Sequence, residues 1–237
     1  MPKSKRNRVY SLTNTRKKGS ERKASLLQDV RDCCDQYSNL YVFSVENMRN
    51  SKLKDVRTQW KHSRFFLGKN RVMQLALGND EAQEYKEGLH KIANFLRGNV
   101  GLLFTNEDNS LVKSWFESYY EMDYARSGFV AEQRIALEEG PLDQFTHSIE
   151  PHLRSLGLPT KLEKGKVILL QDHVVCSPGD TLTPEQARIL KLLGFPLAKF
   201  EVRLLAHWYK DGSVTRLSDH TPCGGYNSHD EEEEPEE

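Results

Sequence analysis

Residues 65–77 join two patterns of hydrophobicity, and they read Phe65-Phe66-Leu67-Gly68-Lys69-Asn70-Arg71-Val72-Met73-Gln74-Leu75-Ala76-Leu77. The apolar run 65–67 is typical of a short buried strand, whereas Val72, Leu75 and Ala76 have the i, i+3, i+4 spacing of one helix face. The sequence therefore predicts a strand that stops at Gly68 and a helix over 69–77 that begins directly after it.

The start of this predicted helix is positively charged. Backbone N–H groups in a first helical turn have no partner inside the helix and carry a partial positive charge, so anions bind there. Lys69 and Arg71 add two full charges, and Asn70 adds a donor and an acceptor. We call residues 68–71 the basic corner and predict that they bind phosphate. The alternative is that Lys69 and Arg71 are only solvated residues of a helix start.

The pattern favours a polymer backbone over a free nucleotide. A nucleotide-binding P-loop requires Gly-x-x-x-x-Gly-Lys-Ser/Thr. Here Ser63 stands in place of the first glycine, and Asn70 stands in place of the hydroxyl residue that would bind magnesium. A nucleic acid is therefore the better candidate ligand.

Both ends of the chain are strongly charged, although the formal net charge of the 237 residues is zero. Residues 1–23 contain nine Lys and Arg against one acid, Glu21, and residues 230–237 contain seven acids and no base. We expect residues 1–19 to be a disordered basic arm and residues 219–237 a disordered acidic tail. A basic arm binds polyanions by releasing counterions, and its candidate RNA contacts are Lys5, Arg6, Arg8, Arg16, Lys17 and Lys18. It also suits a nuclear-import address, or a tail that only aids solubility.

Cysteine usage and hydropathy indicate a soluble, intracellular, reduced protein. The four cysteines form no C-x-x-C pair, and neither they nor the eight histidines have the spacing of zinc ligands. No signal peptide or apolar run of membrane-spanning length is visible. We expect no disulfide, no metal, no cofactor and no membrane partner.

Strand and helix patterns alternate between residues 20 and 126, which predicts a layered α/β domain. Strands are expected at 40–45, 65–67 and 100–105, and helices at 20–37, 49–61, 69–77 and from Tyr85 to about Arg97. The helix over 49–61 has a second basic face, formed by Lys54, Arg57 and Lys61. This face is either ordinary solvated surface or an extension of the RNA-binding groove.

A second, smaller domain is predicted at 127–196, where the composition changes. Thr183-Pro184-Glu185-Gln186 is a strong helix start, with a cap residue, a proline at the first position and a glutamine three residues after the cap. Strands at 201–209 and 214–217 are separated by Asp211-Gly212, a hairpin signal. The predicted fold class is α/β: a layered α/β first domain (20–126 with 197–218), an inserted small α+β domain (127–196) and a C-terminal hairpin that returns to the first sheet.

Several motifs in this order resemble the ribosomal large-subunit stalk-base family. They are Tyr41-Val42-Phe43, Leu67-Gly68-Lys69-Asn70, Arg97-Gly98-Asn99-Val100-Gly101, Ala125-Arg126-Ser127-Gly128, Leu156-Gly157-Leu158 and Leu192-Leu193-Gly194. The resemblance implies that the first domain and the N-terminal segment hold ribosomal RNA, at Gly68, Lys69, Asn70 and Arg71 and at Arg97. Asn99 matches as well, but we interpret it as a residue that ties the turn before its strand.

Within the family, the chain is similar to an assembly factor and not to the stalk protein itself, because the stalk protein continues into further helices and a conserved acidic-hydrophobic tail. The resemblance therefore implies a non-catalytic factor that binds the stalk base on nuclear precursors of the large subunit and is later replaced by the stalk protein. The implied partners are large-subunit ribosomal RNA, the precursor particle and its neighbouring ribosomal proteins or assembly factors. The implied location is the nucleus and nucleolus, with some protein in the cytoplasm, and no small-molecule substrate is expected.

Three other functions stay open at this point. The chain could be a structural stalk-base ribosomal protein. It could be a protein-only scaffold whose arm is just an import address. It could also be an RNA-processing enzyme, for which the suggestive groups are Asp172-His173, Glu138-Glu139 and the pair His147 and His152. These groups lie in ordinary polar sequence, so we predict no catalytic residue.

Overall fold

The computed structural model of the chain describes residues 20–218. The helices in that range are α1 (Ser20–Gln36), α2 (Asn50–Gln59), α3 (Asn70–Leu77), α4 (Leu89–Ala93), α5 (Asn109–Ser118), α6 (Glu150–Ser155) and α7 (Pro184–Leu193). The strands are β1 (Asn39–Glu46), β2 (Arg64–Phe66), β3 (Val100–Thr105), β4 (Tyr120–Asp123), β5 (Ile135–Leu137), β6 (Gly140–Pro141), β7 (Thr160–Glu163), β8 (Lys166–Leu169), β9 (His173–Cys176), β10 (Ala198–Tyr209) and β11 (Val214–Arg216). The predicted basic arm and acidic tail lie outside the described residues.

The described residues form two compact units. Unit 1 contains residues 20–44, 60–109 and 204–218, and unit 2 contains residues 45–59 and 110–203. The expectation of a first domain that the chain leaves and re-enters agrees with this division in outline, and the predicted limits 127–196 stay a prediction.

Unit 1 is built on a sheet with the strand order β11-β10-β1-β3-β2. Strand β3 is buried at every residue, and it pairs antiparallel with β1, from Asn39 opposite Thr105 to Ser44 opposite Val100. Strand β11 pairs antiparallel with the end of β10, which in turn lies beside β1. The predicted C-terminal hairpin that returns to the first sheet is therefore confirmed, as is the α/β fold class.

A buried polar contact joins the returning strand to the start of the sheet. The side chain of Asn39 donates to the carbonyl oxygen of Glu107 at 3.0 Å, and its own oxygen lies 2.9 Å from Nε2 of His207. The imidazole of His207 also stacks on the ring of Tyr41, with centroids 4.4 Å apart. Because buried polar groups cost free energy when they lack partners, this contact favours one register of β10 against β1.

Helix α3 is present where it was predicted, but the prediction of its buried face was wrong. Met73, Ala76 and Leu77 are buried, whereas Leu75 is 48 % exposed. The sequence alone could not choose between these faces, because apolar residues occupy more than half of the helix surface. The strand before it is also one residue earlier than predicted, since β2 ends at Phe66 and Leu67 is exposed.

The helix predicted from Tyr85 to Arg97 is reduced to the short α4. Gly88 has φ +80, in the left-handed region, so a helix cannot run through it. The carbonyl oxygen of Glu87 accepts a 2.9 Å hydrogen bond from Trp208 Nε1, and Tyr85 donates to Asp35. Tertiary contacts thus hold residues 79–88 as turns against β10 and α1.

Unit 2 carries two small sheets, β5-β9 and β6-β8-β7, and helices that cover them. Its core includes Leu153, Val167, Leu169, Ile189 and Leu190, all nearly inaccessible to solvent. Within this unit β4 pairs with residues 198–201 of β10. The predicted start of α7 is confirmed: the Thr183 side chain accepts from the backbone N–H of Gln186, the Gln186 side chain accepts from Thr183 N–H, and Gly194 ends the helix.

Replacing Thr183 with alanine removes the hydroxyl half of this capping box. We expect the free energy of unfolding of unit 2 to fall by about 1 kcal/mol. Thermal unfolding followed by circular dichroism measures the change, with Thr181→Ala, a nearby exposed threonine, as the matched control. Equal melting temperatures for the two variants would show that the cap does not stabilise the helix.

Candidate nucleic-acid interface

The basic corner is an open, uncapped helix start. Lys69 is the N-cap residue of α3 and has extended backbone angles (φ −65, ψ 124), and no side chain among the described residues caps this helix start. Its carbonyl oxygen accepts from the N–H groups of Val72 and Met73 at 2.9 and 3.1 Å. The earliest N–H groups of the helix precede these two along the chain, so their partial positive charge is available to an anion.

Helix α1 packs beside the corner because Gly68 has no side chain. A Cβ atom on Gly68 would lie 2.6 Å from Cδ2 of Leu26, which is too close for any larger residue without moving that leucine. At the other end of α3, Arg31 donates from Nε to the carbonyl oxygen of Ala76 at 3.2 Å. The first turn of α1 is therefore held next to Lys69.

A cleft of about 690 Å³ lies between the first turns of α1 and the corner. We call it the basic cleft, and its lining residues are Arg22, Lys23, Ser25, Leu26, Asp29, Leu67, Gly68, Lys69 and Val72. Leucine and valine side chains form an apolar floor, and three cations stand around it with one carboxylate, Asp29. This combination suits a chain of phosphates with exposed bases, because bases stack on apolar surface while phosphates meet the cations.

The cations of the site are available to a ligand. Arg22, Lys23, Lys69 and Arg71 are all exposed. Across residues 20–218, no carboxylate forms a salt bridge with any of these four. The corner is therefore neither packed inside the protein nor neutralised by its own acids.

Two amide side chains connect the corner to the loop before β3. Nδ2 of Asn70 donates to the carbonyl oxygen of Gly98 at 2.8 Å, and Nε2 of Gln74 donates to Leu96 and Ala93 at 3.1 and 3.3 Å. Asn70 thus uses one of its amide hydrogens to position this loop. The neighbouring Arg97 is exposed, so the structure brings a further cation of the predicted set to the same part of unit 1.

The other candidate RNA-binding residues divide between the two units and the ends. Lys54 and Arg57 are exposed on α2 in unit 2, whereas Lys61 is exposed in unit 1. Their role as an extension of the groove stays a prediction. Lys5, Arg6, Arg8, Arg16, Lys17 and Lys18 lie outside the described residues.

The sequence interpretation missed Arg22, Lys23 and Asp29 as members of the site. They stand about forty residues or more before the corner, and the contact of α1 with α3 is what brings them there. The available signal was the helix pattern from Ser20, which puts two cations in the first turn and Leu26 one turn later. That pattern does not say which element the helix meets.

The buried face of α1 is chemically inert. Cys33 and Cys34 are buried free thiols, and burial raises the pKa of Cys34 to about 12. Burial also raises the pKa of Cys33, although Arg64 opposes that shift. Since a thiolate is the reactive form, both side chains act as small apolar residues of the core.

The groups that suggested an enzyme are ordinary surface contacts in unit 2. Asp172 accepts a 2.8 Å hydrogen bond from the backbone N–H of Glu139, and His147 and His152 are exposed. Over residues 20–218, no three histidine, cysteine or acidic side chains are grouped so that they could hold a metal ion. No helix in the same range has the length and apolar character needed to cross a membrane.

Comparison with known proteins places both parts of the chain. Residues 18–121 match the family Ribosomal protein L10, and residues 125–195 match the family described as the insertion domain in the corresponding 60S ribosomal protein. The chain is 44 % identical to ribosome assembly factor mrt4 of Dictyostelium discoideum, covering 89 % of this chain and 95 % of that protein. It is 35 % identical to ribosome assembly factor MRT4 of Saccharomyces cerevisiae, covering 90 % and 96 %. It is also 25 % identical to large ribosomal subunit protein uL10 of Methanopyrus kandleri, over 74 % of this chain and 49 % of that protein.

Proposed function

Because this chain belongs to the Mrt4 family of ribosome assembly factors, we propose that it binds ribosomal RNA at the stalk base of the large-subunit precursor. It acts there without catalysis and is later replaced by the mature stalk protein. Its kinship with uL10 supports this sequence of events, since two related proteins with one type of RNA-binding domain compete for one site.

The basic cleft is the single observation that carries the proposal. Lys69 of the corner and Arg22 and Lys23 of α1 surround an apolar floor, all three are exposed, and no acid of the described chain pairs with them. Folded RNA presents phosphates at fixed spacing, so a rigid set of cations on two packed helices recognises its shape.

The remaining parts of the chain have subsidiary roles in this proposal. The basic arm adds counterion release to the binding free energy and serves as an import address, which places the protein in the nucleus and nucleolus. Unit 2 faces neighbouring proteins of the precursor particle. No step of this function requires a cofactor, a metal or a bond-making side chain.

Crosslinking in cell extract tests the proposal directly. The full chain is crosslinked to RNA, purified under denaturing conditions, and the attached RNA is sequenced. We expect reads concentrated in the stalk-base region of large-subunit ribosomal RNA, in particles that lack the mature stalk protein. Reads spread over unrelated RNAs, or reads from mature subunits that already carry the stalk protein, would contradict it.

A further inference from the structure

The basic cleft has two kinds of surface, and a ligand that fills it must match both. Leu26, Leu67 and Val72 offer an apolar floor, whereas Arg22, Lys23 and Lys69 offer positive charge at its edge. A chain with only negative charges would satisfy the edge and leave the floor in contact with water. An aromatic ring followed by a run of anions satisfies both.

The C-terminal segment of this chain has that composition. Residues 226–234 read Tyr-Asn-Ser-His-Asp-Glu-Glu-Glu-Glu, so one aromatic residue precedes the first of five consecutive acids by four positions. The basic arm is the other strongly cationic segment of the chain, but it has no packed helix pair to supply an apolar floor beside its charges within the described residues. The basic cleft is therefore the better match for a ring followed by acids.

The segment is long enough to reach the cleft. The described chain ends at Ser218, directly after β11 in unit 1, the unit that contains the cleft. Eight residues from there to Tyr226 extend over about 26–29 Å, which is about twice the radius of gyration of roughly 12 Å expected for a unit of this size. A tethered segment also has an effective concentration in the millimolar range, so that weak contacts suffice to occupy a site.

We propose that residues 226–234 occupy the basic cleft in the free protein and that RNA displaces them. The ring of Tyr226 lies on the apolar floor, and the acids 230–234 meet Arg22, Lys23 and Lys69. This inference rests on the proposed function, because it assigns a competitor to the same RNA site.

Competition by the tail makes the protein selective for its RNA target. A short or unstructured RNA offers few phosphates in the right places, so its binding free energy does not exceed that of the tail by much. Folded ribosomal RNA meets the corner, α1 and the arm at once, and so displaces the segment. The tail therefore suppresses binding to stray RNA without weakening assembly on the precursor particle.

Neutralising the tail in the full chain tests the inference. The variant carries Asp230→Asn with Glu231→Gln, Glu232→Gln, Glu233→Gln and Glu234→Gln, and the probe is a short single-stranded oligouridine. We expect the variant to bind this probe about tenfold more tightly than the natural chain at physiological salt, because five competing charges are gone. Tyr226→Ala alone is expected to tighten binding about threefold, because no ring then covers the apolar floor.

A control variant removes five acids from unit 2 and has the same net charge as the tail variant. It replaces with glutamine five exposed residues, Glu117, Glu132, Glu138, Glu139 and Glu185. We expect its affinity for the oligouridine to stay within about twofold of the natural chain, since these charges are far from the site in sequence and screened by salt. Equal tightening in both variants would mean a net-charge effect and would overturn the inference, as would no tightening in the tail variant.

Zero-length carbodiimide crosslinking of the RNA-free full chain locates the tail independently. We expect crosslinks from the acids 230–234 to Lys23 and Lys69 that disappear when stalk-base RNA is added. Crosslinks only to Lys5, Lys17 or Lys18 would place the tail on the arm and overturn the inference. If the natural chain and the tail variant bind stalk-base RNA but bind oligouridine equally well, only the inference fails, whereas failure of both to bind stalk-base RNA contradicts the proposed function.

Discussion

Replacing both Lys69 and Arg71 with alanine should weaken binding to stalk-base RNA by about ten- to a hundredfold at physiological salt. Both side chains are exposed, and neither forms an ion pair among residues 20–218, so their charge is free to meet phosphate. The slope of the logarithm of the binding constant against that of salt concentration should also fall by about 2, one for each phosphate that the variant no longer neutralises. A binding titration at several salt concentrations measures both quantities.

The matched control removes an equal charge from unit 2. Arg188 and Lys191 are exposed on α7, and their replacement by alanine changes the net charge by the same amount. We expect this control to keep the natural salt slope. Should the two double variants lose affinity equally, RNA would be sensing net charge, and the corner would not be a binding site. Neither substitution touches the core, so both proteins should keep the melting temperature of the natural chain.

Gly101→Ala has the largest expected effect on stability, a decrease of about 3 kcal/mol in the free energy of unfolding through crowding of the core. In the middle of the buried strand β3, an added Cβ would lie 2.6 Å from Cζ of Phe43, 2.7 Å from the carbonyl oxygen of Phe66 and 2.9 Å from Cδ2 of Leu67. One of these atoms belongs to backbone, so a side-chain rotation cannot relieve all three clashes.

Thermal unfolding measures this decrease, and the melting temperature should fall by about 6–12 °C for a chain of this size. Gly165→Ala is the control: this glycine has φ +81 in the turn between β7 and β8, with no atom within 4 Å of an added Cβ. Its cost should be only about 1 kcal/mol, from the backbone conformation alone. Similar melting temperatures for the two variants would show that β3 has room for a side chain.

The two predictions concern neighbouring parts of the molecule. Leu67 and the carbonyl of Phe66 pack against Gly101, and the basic corner follows them directly in the chain. The absence of a side chain at Gly101 therefore lets β2 approach β3 closely, and the absence of one at Gly68 lets α1 approach the corner. Two glycines in this way set the shape of the basic cleft, while the cations around it set its charge.

Local patterns were enough to predict the elements of this fold and one half of the site. Strand β3 was predicted at its observed limits, because a run of six residues, mostly apolar, between a glycine turn and a polar loop has few other structures. The capping box at Thr183 and the strand-glycine-helix corner were predicted for the same reason: each depends on residues within four positions of one another. The exposed cations Lys69 and Arg71 follow from that corner.

Only the tertiary structure decided which distant residues complete the cleft and which helix faces are buried. Arg22, Lys23 and Asp29 join Lys69 because α1 packs along α3, a contact between distant parts of the chain that no local pattern encodes. The burial of Met73 in place of Leu75 depends on where α1 and β3 lie, since either side of an apolar helix can face a core. The short α4 exists because Gly88 meets the backbone of Gly212 from the returning hairpin. Short-range spacing determines the elements, whereas shape complementarity between elements far apart in the chain determines the site.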